Sequence, residues 1–266
     1  MKITSNEISK KAYGNKTLEQ IYQDNEYDFP YHYVMNYFNN RFKHYFIDSW
    51  SINYASTIEF MLSKINIGYD KKIVDIGCGD GRFSRELSLS FNSSNVVGID
   101  YSEKAITLAS AMNHDISNLT FITTDITTED NIDKFDIAIL MEVLEHIQLE
   151  DTKKFIASVH KLLKCNGILY LTVPHKNKPL EYKHFQHFNI NGICNLIKPY
   201  FDIVEVVPFE KNSWLRIVVQ KLLSNNLFIL SNASLLSLIY RFYKRNLFFC
   251  DSENNCQRIF VKATAK

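Results

Sequence analysis

The stretch Lys72-Ile73-Val74-Asp75-Ile76-Gly77-Cys78-Gly79-Asp80-Gly81-Arg82-Phe83 decides how this chain is read. An apolar run ends around an acid, glycines follow at alternate positions, and a helix-like segment runs from Arg82 to Phe91. This is the pattern of a buried strand turning sharply into a helix over a bound nucleotide. A side chain in place of the glycines would keep such a ligand away from the backbone. A glycine-rich loop alone is weakly specific, so the runs that follow carry the argument.

The second apolar run, from Asn95, ends in Asp100, 23 residues after Gly77. A carboxylate at the tip of a second strand can accept hydrogen bonds from both hydroxyls of a ribose. Tyr101 is placed to lie against a base. A third run begins at Leu119 and ends in Asp125, where a carboxylate can accept from an exocyclic amine of adenine. The fourth, Phe135 to Met141, ends in Glu142.

Together these strand ends resemble the class I S-adenosylmethionine (SAM)-dependent methyltransferases. The resemblance covers residues 70–210 in order, plus the last strand. The nicotinamide dehydrogenases share the strand, loop and helix, but their loop is usually G-x-G-x-x-G around a pyrophosphate. Here the pattern is Asp75-x-Gly77-x-Gly79-x-Gly81. SAM has no phosphate, and an acid suits its cationic amino group. The resemblance implies an α/β fold: a doubly wound, seven-stranded, mostly parallel Rossmann-like sheet with an antiparallel last strand, an N-terminal helical cap and a helical insertion before that strand. It implies a SAM site made by Asp75, Gly77, Cys78, Gly79 and Gly81, then Asp100 and Tyr101, then Asp125, Ile126 and Met141.

At 266 residues the chain suits one sizeable domain with an elaboration. A hydrophobic content of 46% against 22% charged fits an ordered globule. The formal net charge of +1 gives no global electrostatic case for nucleic acid. Five cysteines without metal-like spacing do not make a disulfide framework, and Cys78 reads as a small reduced residue in the loop. The N-terminus lacks the apolar core of a signal peptide, and no stretch of 18 uninterrupted apolar residues occurs. A cytoplasmic location is the expectation.

Residues 1–50 form an expected cap crowded with aromatics, among them Tyr22, Tyr27, Phe29, Tyr31, Tyr33 and Tyr37. In the resembling family such segments pack over the cofactor; covering a sheet edge is a compatible role. The methyltransferase domain is then residues 51–266. Residues 51–66 read as an amphipathic helix with Ile52, Ala55, Ile58, Leu62 and Ile65 on one face. Ser102 is expected to cap a helix from Glu103 to Met112. Asp151 is expected to cap the helix that Asn166-Gly167 ends. Strands are expected over residues 168–174 and 201–207, and Arg258 to Ala263 as the antiparallel one.

That leaves residues 211–256 as an insertion. From Lys211 through Cys250 it holds six positive charges and no acid, so the rest of the chain carries a net −5. A basic, apolar helical segment can lie on an anionic membrane surface or bind a lipid-linked substrate. It can equally pack on the core with its cations solvated. A peripheral membrane contact through residues 211–250 is thus one expectation.

Glu142, Glu145 and His146 are spaced i, i+3, i+4 and share a face if that turn is helical. Two carboxylates and an imidazole suit Mg²⁺ or a similar divalent ion. Glu-x-x-Glu-His is similar to the ubiquinone-pathway O-methyltransferases and to the methyltransferases of the terminal ribose of small RNAs. In the latter a further histidine completes the site; His175, His184 and His187 are the candidates here. Leu-Glu-His is also common in members that use no metal. There Glu142 borders the methionine end of the cofactor. His184 and His187, after the fifth strand, are candidate general bases or substrate contacts, with Glu142 beside them.

Three functions follow. The first is O-methylation of a small-molecule, lipid-linked or surface-glycan acceptor. The second is metal-dependent methylation of a terminal RNA ribose, against which the net acidic core speaks. The third is a non-catalytic SAM-binding module at a membrane surface, against which the intact loop with Asp75, Asp100 and Asp125 speaks.

Overall fold

The structure, a computed structural model, describes residues 37–38, 41–42, 49–129, 132–181, 184–224, 227–228 and 230–266, with side chains from residue 51 onward. The expected cap at 1–50 therefore lies almost wholly outside the described residues. What is seen of it is a short antiparallel pair, β1 (Tyr37–Phe38) and β2 (Arg41–Phe42).

Helix α1 (Ser49–Lys64) precedes the sheet. Its Ile52, Ala55, Ile58 and Met61 are buried, so the predicted apolar face is the one that meets the core. The sheet is then built from β3 (Lys72–Ile76), β4 (Asn95–Asp100), β5 (Leu119–Thr123), β6 (Phe135–Met141), β7 (Leu163–Pro174), β8 (Phe201–Lys211) and β9 (Cys256–Ala265). Their order across the sheet is β5-β4-β3-β6-β7-β9-β8. Pairings from β5 through β7 are parallel. Strand β9 runs antiparallel to both β7 and β8, so β8 ends at the same edge as the parallel strands. The order reverses at β3, and the crevice beyond the strand ends at such a switch point is where open α/β sheets bind ligands.

Alternation along the strands supplies two cores. Ile73 on one face of β3 joins a cluster with α1, while Val74 and Ile76 on the other face join a second cluster. The second is covered by α4 (Thr152–Leu162) and α5 (Ile190–Ile197). The first is covered by α1, α2 (Arg82–Ser90) and two helices joining β8 to β9, α6 (Trp214–Leu223) and α7 (Ala233–Asn246). Helix α3 (Glu103–Met112) follows β4, and Ser102 Oγ caps it by accepting the Ala105 N–H at 3.3 Å.

Two local expectations are corrected. Asp151 makes no side-chain cap, its backbone being already helical. The helix expected to reach Asn166 stops at Leu162, because Leu163 is drawn into the sheet opposite Phe135. Asn166 (φ 60°) and Gly167 instead form an irregularity inside β7 before Ile168 pairs with Ile137.

Candidate active site

The loop between β3 and α2 is set by backbone bonds. The Gly77 and Cys78 N–H groups both donate to the Ile99 carbonyl, at 2.7 and 3.1 Å. Gly79 N–H donates to Asp100 Oδ2 at 3.0 Å, and the other Asp100 oxygen accepts the Ser102 N–H at 2.9 Å. Gly77, Gly79 and Gly81 all have positive φ, at 72°, 56° and 77°. A Cβ on Gly77 would lie 2.7 Å from Val143, so internal packing already requires glycine there. A Cβ on Gly79 would meet nothing within 4 Å. The space over Gly79 is therefore where a ligand can reach the backbone.

Asp75 is buried, and its carboxylate accepts the Ser84 hydroxyl at 2.6 Å. Burial pushes its pKa up to about 7; the Ser84 bond opposes this and the Asp100 charge adds to it. The carboxyl thus ties β3 to α2. Tyr101 and Asp125 are exposed at the same edge, and Asp125 Oδ1 accepts the Thr127 N–H at 2.8 Å. Ile126 is buried and Met141 half-buried. Burial raises the Cys78 thiol far above its ordinary value, so it stays protonated.

Past β6 the backbone turns abruptly. Glu142 has φ 58°, an uncommon conformation for a residue with a side chain, and its N–H donates to the Thr172 carbonyl at 3.1 Å. Only Leu144–His146 form a short 3₁₀ turn. The expected shared helical face of Glu142, Glu145 and His146 is corrected accordingly. Glu142 Oε2 accepts from Arg258 Nε at 2.7 Å. Arg258 also pairs with Glu210, which pairs with Arg216 on α6. Glu210 is itself buried at φ 63°. A buried chain of charges thus runs from the end of β6 to α6.

The structure does bring Glu145, His146 and His184 together, with one ligand atom of each within 4.8 Å of the others. Glu145 is buried, and its Oε2 has no hydrogen-bond partner among the described residues. Burial first, then the Glu142 charge, raises the Glu145 pKa well above the usual carboxylate range. Gln186 holds the histidine loop against this turn: its Nε2 donates to the Leu144 and Ile147 carbonyls and to Thr152 Oγ1.

The histidine tautomers follow from their partners. His187 Nδ1 lies 3.0 Å from the Lys178 carbonyl, which only accepts, so Nδ1 carries the proton. Burial lowers the His187 pKa, so the ring is neutral and its Nε2 is an acceptor. That Nε2 lies 2.8 Å from His184 Nδ1, which must therefore donate. Burial drives the His184 pKa down to about 4, so its ring is neutral too. His184 Nε2 is left with a bare lone pair. His175 is elsewhere: its Nδ1 accepts the Asn177 N–H and its Nε2 donates to Glu253 at 3.0 Å. It is no member of the cluster, which corrects its place among the candidate ligands.

Beside His187 a cleft of about 760 Å³ opens, lined by Leu149, Leu180 and Phe185 together with Lys153, Lys176 and Lys178.

The family model for the methyltransferase domain matches residues 67–221, more than half the chain. The chain belongs to this methyltransferase family. The curated ubiquinone biosynthesis O-methyltransferase of Haemophilus ducreyi is 34% identical over 122 residues, 42% of this chain and 49% of that protein. That of Pelagibacter ubique is 35% identical over 108 residues, 40% and 42% of the two chains. The chain thus spans about half the length of the curated relatives it matches. The structure of the N-methyltransferase NodS of Bradyrhizobium japonicum with S-adenosylhomocysteine aligns with a TM-score of 0.55, at 15% identity, covering 82% of this chain and 88% of that one. At such identity the likeness establishes the fold alone.

The methyltransferase site fits SAM, the cofactor of this class. The open space over Gly79 and the Asp100 carboxylate at the second strand tip both suit such a nucleoside. Asp100, Tyr101 and Asp125 would hold its adenosine, and the loop its methionine end. The residues that the sequence reading missed are Arg258, Glu210 and Arg216. They act from β9, β8 and α6, more than 60 residues beyond the motif, and nothing local marks them.

Proposed function

We propose that this methyltransferase transfers a methyl group to a hydroxyl of a small-molecule, lipid-linked or glycan acceptor. SAM supplies a methyl group already activated by the sulfonium charge. The protein's own task is to place the acceptor in line and to take its proton. The observation that carries this reading is the chain from the Lys178 carbonyl through His187 to His184, which leaves His184 Nε2 unprotonated next to Glu145. A neutral imidazole with a bare lone pair can accept that proton, as a weak base while burial holds its pKa at about 4. Glu145 would hold the acceptor hydroxyl on its partnerless oxygen in its protonated form, or a cation in its ionised form. The adjoining cleft, apolar with three lysines, suits an acceptor bearing both an apolar portion and an acidic group. The O-methyltransferase relatives support oxygen as the methylated atom.

The cluster favours a second, alternative reading, in which a divalent ion takes the His184 lone pair in place of a proton. Glu145, His146 and His184 would hold it; one carboxylate and two imidazoles suit Mn²⁺, Fe²⁺ or Zn²⁺ better than the Mg²⁺ that two carboxylates would favour. Such an ion would lower the pKa of a hydroxyl it binds. It would also fit the paired hydroxyls of a terminal RNA ribose.

The test begins with calorimetric titration by SAM and S-adenosylhomocysteine, with NAD as control. Methyl transfer from labelled SAM is then followed on quinol, polyprenyl-phenol, glycan and RNA acceptors, with EDTA and with each ion restored. His184→Gln is expected to lower turnover by about 10²–10⁴-fold while leaving SAM affinity intact. Unchanged turnover in that variant would sink the base, and full activity in EDTA would exclude an essential ion. Activity confined to RNA would replace the small-molecule reading.

A further inference from the structure

Ten of the twenty large hydrophobic side chains exposed among the described residues lie between Trp214 and Phe249. Their arrangement is regular. On α6, Leu215, Val219 and Leu223 face the core, at i, i+4, i+8. The opposite side carries Trp214, Ile217, Val218 and Leu222, at i, i+3, i+4, i+8, all exposed, Trp214 by 70%. A helix seated on a protein in water normally turns polar residues outward, yet this face of α6 is apolar and exposed among the described residues. Helix α7 repeats the pattern with Leu235, Leu238 and Phe242 outward and Leu236, Ile239 and Tyr243 in the same core cluster that α6 enters. The outer faces of both helices therefore look away from one layer.

The cations of this segment divide into two groups. Lys211, Arg216 and Lys244 are ion-paired within the chain, with Asp251, Glu210 and Glu59, the first of these pairs at the surface. Lys221, Arg241 and Arg245 are exposed along the apolar faces, in a stretch with no acid from 211 to 250.

We propose that the outer faces of α6 and α7 dock on an anionic lipid surface. Apolar side chains with a purely basic rim are the composition that enters the boundary between headgroups and acyl chains, and a tryptophan suits that depth. A second copy of the chain fits less well. A symmetric pair would bring the same patch against itself, basic rim on basic rim, with no acid in the segment to neutralise it. A nucleic acid would leave the apolar ridge facing phosphates. The docking places the chemistry usefully: α6 begins just after β8, at the strand edge that carries the site, and its Arg216 is tied through Glu210 and Arg258 to Glu142.

The experiment uses the full chain and vesicles of phosphatidylcholine with and without phosphatidylglycerol. Sedimentation is expected to show binding to the anionic vesicles that weakens with salt, and weaker binding to the neutral ones. Trp214, one of two tryptophans, is expected to shift its emission to the blue as it leaves water. The pair Ile217→Glu and Val218→Glu should abolish both signals, and the pair Arg241→Glu and Arg245→Glu should weaken anionic binding about 25-fold or more, each basic residue contributing roughly fivefold. SAM affinity, measured alongside, reports that the variants fold. Absence of vesicle binding and of any blue shift in the unmodified protein overturns the proposal. So does binding that both variant pairs retain. A solution dimer that Ile217→Glu disperses, without vesicle binding, assigns the face to self-association instead.

Discussion

The two halves of the strand edge treat their acids in opposite ways. In the cofactor half both oxygens of Asp100 are occupied, by the N–H groups of Gly79 and Ser102, and Asp75 takes a hydroxyl from Ser84. In the acceptor half Glu142 and Glu145 each keep one buried oxygen without a partner among the described residues. The backbones differ in the same sense. The first loop reaches positive φ with glycines, whereas the second does so with Glu142, held by an arginine from β9. A buried polar atom without a partner is uncommon and marks a place that something else completes. The acids of the first loop are satisfied within the fold, whereas those past β6 keep acceptor capacity to spare.

The difference is sharpest in the charge chain. Glu210→Ala would leave Arg258 and Arg216 without their shared buried partner. Removing one member of a buried pair typically costs about 3–5 kcal/mol. Thermal denaturation should show that loss, and Glu210→Gln should recover part of it. Glu210 is a positioning residue, so the variant that folds should lose kcat far more than SAM affinity. Equal losses in both would dissolve the distinction between the halves.

Next in size is Gly79→Ala. Its backbone strain is roughly 1–2 kcal/mol for a left-handed residue, without a clash, so the chain should still fold. The added methyl would stand in the space a ligand needs, and SAM affinity should fall roughly a hundredfold, about 2.7 kcal/mol. Gly77→Ala carries the Val143 clash as well and should be the less stable of the two. Unchanged SAM affinity in Gly79→Ala would move the ligand off this loop. Asp100→Ala follows, with an expected loss of about 1–3 kcal/mol in SAM binding by calorimetry, the usual scale for a charged acceptor removed.

What was legible in the sequence follows the same division. The cofactor half is encoded locally: strand, glycines and helix lie within a dozen residues, even though the contact that forbids a side chain at Gly77 comes from Val143. The inner face of α1 was readable from periodicity, and the antiparallel β9 from the family resemblance. The acceptor half depends on distant partners. Helical spacing suggested that Glu142, Glu145 and His146 share a face, but the bond from Glu142 N–H to Thr172 ends the helix before it starts. The division of six cations into three bound and three exposed needed the positions of Glu59, Glu210 and Asp251. No spacing rule carries that information across so many residues.

The smallest expected effect tests the partnerless oxygen directly. Burial holds the Glu145 pKa above its unfolded value, so the native state retains a proton that the unfolded chain has lost. The unfolded state then binds fewer protons, and this group's contribution lowers stability as pH rises above the ordinary carboxylate range. Glu145→Gln removes that slope. Its advantage over the parent should be absent near pH 4 and grow toward pH 8. Denaturation midpoints at the two pH values measure it in chelator-treated protein. Mn²⁺ should then reverse the order at pH 8: an ion that binds only the native parent raises its midpoint and leaves the glutamine variant where it was. If Mn²⁺ moves neither midpoint, the cluster holds its acceptor without a metal, and Glu145 serves in its protonated form.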